Sequence, residues 1–397
     1  MKRRKFLEGS ALFTGSILVP RFLKAWEQPG IEKDGQKVLV IIQLSGGNDG
    51  LNTVIPVRND IYYKSRPGIG IKPADALSLN DEASIHSSLP AFRELYNEGS
   101  LAILSNVGYP NPDRSHFRSM DIWHSASASN EYLTTGWLGR YLDAMCSGCD
   151  HPSQILELDD TLGLALKGKW NKGIALRDPK RLFNTARDRF YEELATTANV
   201  PQLESAAAYL YKTMASTVST AGYIFEQSKL RPSSHTYPQT KLGQSLKHIS
   251  GLINSDINTK VYYAEIGSFD SHAGQASLQQ RLFKDLNDAV AAFTSDLKKQ
   301  NRFDNVLLFT FSEFGRRVAQ NASNGTDHGT ANNMFFIGGG LKQKGFINAM
   351  PDLQNLQDGD LKYNVDFRDV YAIVLRQWLS ADDKGILNRS SNYLRFI

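Results

Sequence analysis

Acidic and histidine side chains stand at the ends of several apolar, strand-like runs of this chain. The runs KVLVIIQL (37–44), KVYYAEI (260–266) and NVLLFTF (305–311) each lead into a polar loop that carries such residues, and another polar loop precedes the run MFFIGGG. In an open α/β sheet, the loops beyond the carboxyl ends of parallel strands line one crevice where ligands bind. We therefore predict a metal-assisted site from the residues at these positions: Asp49, Asp270, His272, Glu313, Asp327 and His328.

The spacing of Asp270 and His272 in FDSH favours a shared ion. In extended backbone, the side chains of residues i and i+2 point the same way. A mixed oxygen and nitrogen set suits Zn²⁺ or Mn²⁺ better than Ca²⁺, which takes oxygen ligands. Asp327 and His328 in GTDHGT form a second pair with the same chemistry. The alternative for both pairs is an ordinary surface turn.

Two further loops carry candidate catalytic groups. In SEFGRR, Glu313 fits a metal ligand or a general base, and Arg316 or Arg317 could meet an anionic substrate bidentately. The alternative is a helix start with Ser312 as the N-cap. In DRSHFR, Ser115 or Asp113 could act as the nucleophile, and His116 as a ligand or a base. This serine lacks the GxSxG elbow of hydrolases, and SGGNDG is not the GxGxxG of dinucleotide-binding proteins.

The first 25 residues are predicted to be an export signal. Arg3-Arg4 followed by Lys5-Phe6-Leu7 is typical of a twin-arginine signal, with cleavage after Ala25. The apolar stretch 11–19 is far shorter than the roughly 20 residues that span a bilayer, so we expect no permanent membrane anchor. We expect the twin-arginine export machinery as a partner. The alternative is a frayed basic tail.

The charge balance changes when that segment is set aside. Residues 1–25 carry six basic side chains and Glu8, a net charge of +5, and the whole chain carries +4. Residues 26–397 therefore have 4 − 5 = −1, which predicts no polybasic footprint for nucleic acid or anionic lipid. Cys146 and Cys149, in CSGC, are the only cysteines. They are interpreted as a local disulfide staple rather than a redox pair, and two thiolates cannot complete a four-cysteine zinc site.

From residue 36 onward, apolar strands alternate with amphipathic helices. This pattern predicts a single α/β domain over 36–397, a three-layer α/β/α sandwich with a mostly parallel sheet. Helical patterns over 204–229 and 241–253 interrupt the strands, so we predict a mainly helical insertion at about 125–255. The predicted strands are 37–44, 101–107, 154–158, 260–266, 305–311 and 334–338, and the strongest predicted helices are 89–97, 277–300 and 366–379.

The order of these motifs resembles an exported family of unknown function numbered 1501, which is grouped with alkaline-phosphatase-like and sulfatase-like proteins. The resemblance covers about 37 to 390. It is carried by QLSGGNDGLNTVIPV, DRSHFRSMDIWHSA, FDSHAGQ, TFSEFGRR and GTDHGTANNMFFIGGG.

That superfamily implies an α/β/α sandwich with one or two divalent metals and a Ser, Thr or formylglycine nucleophile that attacks phosphate or sulfate esters. By resemblance, Asp49 matches the first-strand metal aspartate, Asp270 and His272 the later Asp–His pair, and His328 the final histidine. Glu313 stands where an Asp-His dipeptide usually follows a strand, and the nucleophile region maps near 112–116. Neither cysteine lies in a Cys-x-Pro-x-Arg sequence, which disfavours a formylglycine sulfatase.

Two functions are consistent with these observations. The first is an exported hydrolase that uses a divalent metal, Zn or Mn, on a small anionic ester. The second is a non-catalytic exported binding or assembly module that retains the fold and part of the metal site. Fold alone does not decide between them.

Overall fold

The computed structural model describes residues 37–145, 154–189, 191 and 206–397. The strands it describes, β1 to β14 in chain order, are Val38–Leu44, Val54–Ile55, Ala76–Ser78, Ser84–His86, Leu101–Gly108, Ile155–Glu157, Ile174–Ala175, Val261–Ile266, Val306–Phe311, Asn332–Ile337, Gly345–Phe346, Leu356–Gln357, Asp360–Leu361 and Val365–Asp366. The α-helices it describes, α1 to α11, are Gly50–Thr53, Asp60–Ser65, Pro90–Asn97, His116–Ser125, Trp137–Met145, Pro179–Ala186, Ala206–Leu230, Lys241–Asn254, Gln275–Lys299, Phe367–Ile373 and Asp383–Leu387.

Within these described residues the main sheet has nine strands. Their order is β11-β5-β10-β9-β1-β8-β6-β7, with β14 also paired to β5. β1 lies at the centre in parallel register with β8 and β9, and all seven of its residues are buried. Each such apolar side chain contributes about 1.5–3 kcal/mol when it leaves water. The unbroken apolar runs of the sequence predict these central strands well because a parallel strand covered on both faces needs no polar alternation.

The two faces of the sheet form separate cores, which confirms the predicted three-layer sandwich. Val40 and Ile42 of β1 face a core to which α3, α8 and α9 contribute, whereas Leu39 and Ile41 face one built from α4, α5 and α10. Side chains alternate between the two faces because successive residues of a strand point in opposite directions. A single π-helical turn, Val374–Trp378, continues α10.

β10 is antiparallel to both of its neighbours, β9 and β5. Its amino end therefore lies at the same edge of the sheet as the carboxyl ends of β1, β5, β8 and β9. This explains why Asp327 and His328 stand before a strand while the other candidate residues stand after one. The sequence pattern did not reveal that reversal.

The separate helical insertion predicted at 125–255 stays a prediction. The part of this region that the structure describes holds α5, α6, α7 and α8, and it also supplies β6 and β7, which extend the main sheet in parallel beyond β8. The predicted export signal and Cys146 with Cys149 lie outside the described residues. Among the described helices, none combines the length and apolar character needed to cross a membrane.

Candidate metal centre

Three segments meet at the carboxyl edge of the sheet and bring three imidazoles to one carboxylate. The loop after β8 supplies Asp270 and His272, the loop before β10 supplies His328, and α4 begins with His116. Oδ1 of Asp270 lies 3.0 Å from Nε2 of His272 and 3.2 Å from Nε2 of His328. Oδ2 of the same carboxylate lies 3.5 Å from Nε2 of His116. Asp270 is therefore the hub of the cluster.

The Nδ1 atom of each imidazole faces an oxygen. Nδ1 of His116 lies 2.8 Å from Oε1 of Glu313, and Nδ1 of His272 lies 3.0 Å from Oδ1 of Asp327. Nδ1 of His328 lies 2.7 Å from the main-chain oxygen of Arg114. A carbonyl or carboxylate oxygen only accepts, so each Nδ1 is the donor, and in the neutral ring Nε2 keeps its lone pair. Outer oxygens that fix the tautomer in this way are a regular feature of metal-binding histidines.

The cluster fits a divalent cation by its distances and its donor chemistry. One ligand atom each from His116, Asp270 and His328 lie within 4.8 Å of one another. Nε2 of His272 and Nε2 of His328 are 3.0 Å apart, close to the separation of about 3.3 Å between ligands that bind tetrahedral zinc at 2.0–2.1 Å. Two nitrogen lone pairs at that distance repel unless a proton or a cation lies between them. Nitrogen donors with one carboxylate oxygen suit Zn²⁺ or Mn²⁺.

His116 adds an independent sign of a missing partner. Its Nε2 is buried and makes no hydrogen bond to any described residue, and Oδ2 of Asp270 is 3.5 Å away, too far for a good hydrogen bond. A buried polar atom without a partner costs about 1–3 kcal/mol. The hydrogen bond to Glu313 raises the pKa of His116. A cation at Nε2 would provide the missing interaction and would compete with the proton.

Arg316 is buried beside the cluster and holds Asp270 in place. Its side chain is 0% exposed, and its guanidinium donates to Asp270 Oδ1 at 2.8 Å and to the main-chain oxygens of Gly47, Thr326 and Phe269 at 2.6, 2.9 and 3.0 Å. Burial opposes ionisation of Asp270, but the hydrogen bond and the positive charge of Arg316 help to outweigh it, and the pKa of this carboxyl is lowered to about 2. Arg316 was predicted as a catalytic residue. With its donors engaged and no exposed face, Arg316 lies where it can position Asp270, and a catalytic role for it stays a prediction.

The glycines of SGGNDG allow the first loop to approach the cluster. Gly46 has φ +114°, and a Cβ there would lie 2.5 Å from the main-chain nitrogen of Asp270, so only glycine fits. The N–H of Gly46 donates to Oε1 of Glu313 at 2.8 Å, the same oxygen that holds His116. Glu313 was predicted as a metal ligand. Glu313 contacts Nδ1 of His116, on the side of the ring away from Nε2, and Asp327 contacts Nδ1 of His272 in the same way.

Both carboxylate oxygens of Asp49 accept hydrogen bonds from residues outside the cluster. Asp49 is 2% exposed and accepts main-chain hydrogen bonds from Leu51 and Asn52 as the N-cap of α1. Its other oxygen receives Nη1 of Arg66 at 2.5 Å and the amide of Gln275 at 2.5 Å. These bonds satisfy the carboxylate inside the protein, so the role of Asp49 as a metal ligand stays a prediction that this geometry does not support.

Ser115, the predicted nucleophile, is exposed immediately before α4, and its hydroxyl makes no helix-capping bond. It is adjacent in sequence to His116. Asp113, the alternative nucleophile, accepts the main-chain N–H of Ser115 at 2.7 Å. Nucleophilic catalysis by either residue stays a prediction.

Arg66, Gln275 and the carbonyl of Arg114 are the contributors that the sequence did not reveal. Arg66 and Gln275 are 17 and 226 residues from Asp49 along the chain. Arg66 lies in none of the motifs above, and Gln275 ends FDSHAGQ, a motif that directed attention to Asp270 and His272. Sequence spacing carries no signal for contacts of this kind, and a main-chain oxygen carries none at all.

A family model described as "Protein of unknown function (DUF1501)" matches residues 36–384. No curated protein matches the chain in sequence. Among solved structures, the PsFucS1 sulfatase from Pseudoalteromonas sp. is 12% identical, with 92% of this chain and 74% of that chain covered and a TM-score of 0.42. A protein in the alkaline phosphatase superfamily from Vibrio parahaemolyticus is 8% identical, with coverages of 89% and 69% and a TM-score of 0.41.

The C-terminal periplasmic domain of EcEptC from Escherichia coli, solved in complex with Zn, is 9% identical. The match covers 78% of this chain and 76% of that one, with a TM-score of 0.36. Likenesses of this size assign no residue a role.

Proposed function

Because this chain belongs to the DUF1501 family of proteins of unknown function, whose description names no activity, we propose from its own geometry that it is an exported, metal-dependent hydrolase of phosphate or sulfate esters. The observation that carries the proposal is the convergence of three imidazoles on Asp270, each with its Nδ1 already bonded to an oxygen. His116, His272, His328 and Asp270 would hold the ion. Asp270 and His272 are 46% and 45% exposed, which leaves the cluster open to a substrate.

A bound divalent cation would polarise an ester oxygen and lower the pKa of a nearby water molecule. The chain's own groups would orient the reactants around it. Asp270 is the single carboxylate in the proposed ligand set, so a doubly charged ion would leave the set with 2 − 1 = +1 and favour an anionic ester. Arg317 donates to Asp360 and to the main-chain oxygen of Asp358 but is 38% exposed, so it would offer an anion a more accessible guanidinium than Arg316. Ser115 or water would attack, with His116 beside it.

The test is the metal dependence of ester hydrolysis. Protein stripped with a chelator should be inactive toward an aryl phosphate and an aryl sulfate, and activity toward one of them should return in proportion to bound Zn²⁺ or Mn²⁺. Bound metal is measured by mass spectrometry on the same samples. A His248→Gln variant is the matched control, because this histidine lies on α8, outside the cluster, and the variant should behave as wild type.

Stoichiometric metal binding without turnover of either ester would contradict the hydrolase. It would favour the binding or assembly module that retains the site.

Export is supported by the Arg3-Arg4 pair in the first 25 residues. Replacing both arginines by lysine should hold the precursor in the cytoplasm, because the twin-arginine receptor reads the paired guanidinium groups. Cell fractionation measures this outcome. Unchanged export of the double variant would show that the motif was misinterpreted.

A further inference from the structure

One short segment carries a large positive charge, although the net charge of residues 26–397 is close to zero. Residues 167–189 contain eight basic side chains and two aspartates, a net charge of 8 − 2 = +6, while residues 26–397 together have −1. The other residues of 26–397 therefore have a net charge of −1 − 6 = −7. The basic residues of the segment are Lys167, Lys169, Lys172, Arg177, Lys180, Arg181, Arg187 and Arg189, and apart from the half-buried Lys172 they are exposed.

A rigid turn presents the first part of this segment. Lys167 and Lys172 form an isolated antiparallel bridge, and the turn 168–171 connects them. The carboxylate of Asp143 on α5 accepts the main-chain N–H groups of Lys169, Trp170 and Asn171 at 2.6, 3.1 and 2.6 Å. Three hydrogen bonds to one charged side chain hold the turn against the helix.

Trp170 is at the tip of this turn and is 65% exposed. The other tryptophans that the structure describes, Trp123, Trp137 and Trp378, are 1–4% exposed. The ammonium group of Lys169 lies 4.6 Å from the centre of the Trp170 ring. A tryptophan ring with an apolar body and a polar N–H prefers the boundary between water and lipid headgroups.

α6 supplies the second part of the segment. Lys180 in its first turn and Arg187, the residue that caps its carboxyl end, are seven residues apart and so lie on one side of the helix. Arg177 and Arg181 contact Asp160 at 3.3 and 3.4 Å, a pair of exposed contacts that leave most of each guanidinium in water. Six residues, 173–178, separate the turn from α6, a span of at most about 20 Å.

We propose that this basic segment docks the protein on an anionic phospholipid surface, with Trp170 at the level of the headgroups. Lysine and arginine near such a surface are attracted to its negative potential, and a tryptophan beside them adds an interfacial contact. Single-stranded nucleic acid is bound differently, in a groove with several aromatic side chains on which bases stack. Here Trp170 is the exposed aromatic ring of the segment and stands on a turn, while Phe183 is half-buried and stacks on Phe225. This arrangement favours a flat, fluid surface over a chain held in a groove.

The test uses the full protein and vesicles of phosphatidylcholine alone or with phosphatidylglycerol at a 3:1 ratio. We expect cosedimentation with the mixed vesicles only, weakened at high salt because screening shortens the reach of the charges. The triple variant Lys169→Gln, Lys180→Gln, Arg187→Gln should bind about 100-fold more weakly, since each basic residue contributes about fivefold near the surface. Brominated lipid should quench Trp170 fluorescence, and Trp170→Phe should remove that quenching.

The matched control replaces three exposed lysines outside the segment by glutamine, Lys72, Lys299 and Lys342. It should bind as wild type. Equal binding to pure phosphatidylcholine, or equal loss in the control and the test variant, would overturn the proposal. Tight binding to dextran sulfate without vesicle binding or quenching would also overturn it, in favour of a soluble polyanion as the partner. Circular dichroism confirms that each variant is folded.

Discussion

Replacing His328 with alanine is expected to lower the affinity for Zn²⁺ or Mn²⁺ by at least about 100-fold. Loss of a residue that only orients a metal ligand costs about 10–100-fold, and loss of the ligand itself should cost at least as much as the upper end of that range. His328 contacts two of the other proposed ligands, since its Nε2 lies 3.0 Å from Nε2 of His272 and 3.2 Å from Oδ1 of Asp270. Its removal takes away one ligand and the contact that orients the other two. Asp270→Ala and His272→Ala should act in the same direction.

Titration calorimetry on chelator-stripped protein measures the affinity. Glu313→Gln is the graded comparison, because it keeps the shape of the side chain but weakens the partner of His116, and a loss of about 10–100-fold is expected. His235→Ala is the matched control, because this histidine packs near Tyr237, away from the site. If His328→Ala and Asp270→Ala both keep wild-type affinity, the imidazoles form only a hydrogen-bonded network.

The positions of the candidate ligands were largely predictable from the sequence. A buried parallel strand is a continuous apolar run, so β1, β8 and β9 were predicted within one residue at each end, and the first polar residues after them had to lie at one sheet edge. Position along the chain does not determine which way a side chain points. Glu313 and Arg316 follow β9 as predicted, yet one lies behind His116 and the other is enclosed by carbonyl groups.

Averages over the sequence also concealed local features. A net charge of −1 for residues 26–397 indicated no polybasic surface, although the exposed segment 167–189 carries +6. The reversed direction of β10 likewise leaves no mark on its apolar run. Both features depend on which residues the fold brings to the surface or to an edge, and neither is a property of composition or periodicity.

Asp49, the carboxylate that matches a metal aspartate by resemblance, is half of a buried ion pair. The side chains of Arg66 and Asp49 are 0% and 1% exposed. Arg66 donates to Asp49 at 2.5 Å, to Asn52 at 2.8 Å and to the main-chain oxygens of Val318 and Arg317 at 2.9 Å each. A guanidinium that supplies one positive charge to this carboxylate removes the need for a second cation there. We therefore expect one ion per chain.

Arg66→Met is expected to lower the free energy of unfolding by about 3–5 kcal/mol, because it leaves the Asp49 carboxylate buried without its counter-charge. Urea unfolding measures the loss. The double variant Arg66→Met, Asp49→Asn should be less destabilised than Arg66→Met alone, because the uncompensated charge is gone. Lys284→Met, which breaks an exposed pair with Asp288 on α9, is the control and should unfold at the same urea concentration as wild type, because exposed ion pairs contribute little.

The same variant tests the number of ions. If Arg66 occupies a position that a cation would otherwise fill, the Arg66→Met variant should bind a second divalent ion at high metal concentration. That ion should restore part of the lost free energy of unfolding, because a ligand that binds only the folded state stabilises the folded state. Wild-type protein should bind one ion under the same conditions. Two ions bound by wild type, with Arg66→Met unchanged in stability, would show that Asp49 serves the metal site and that its pairing with Arg66 contributes little.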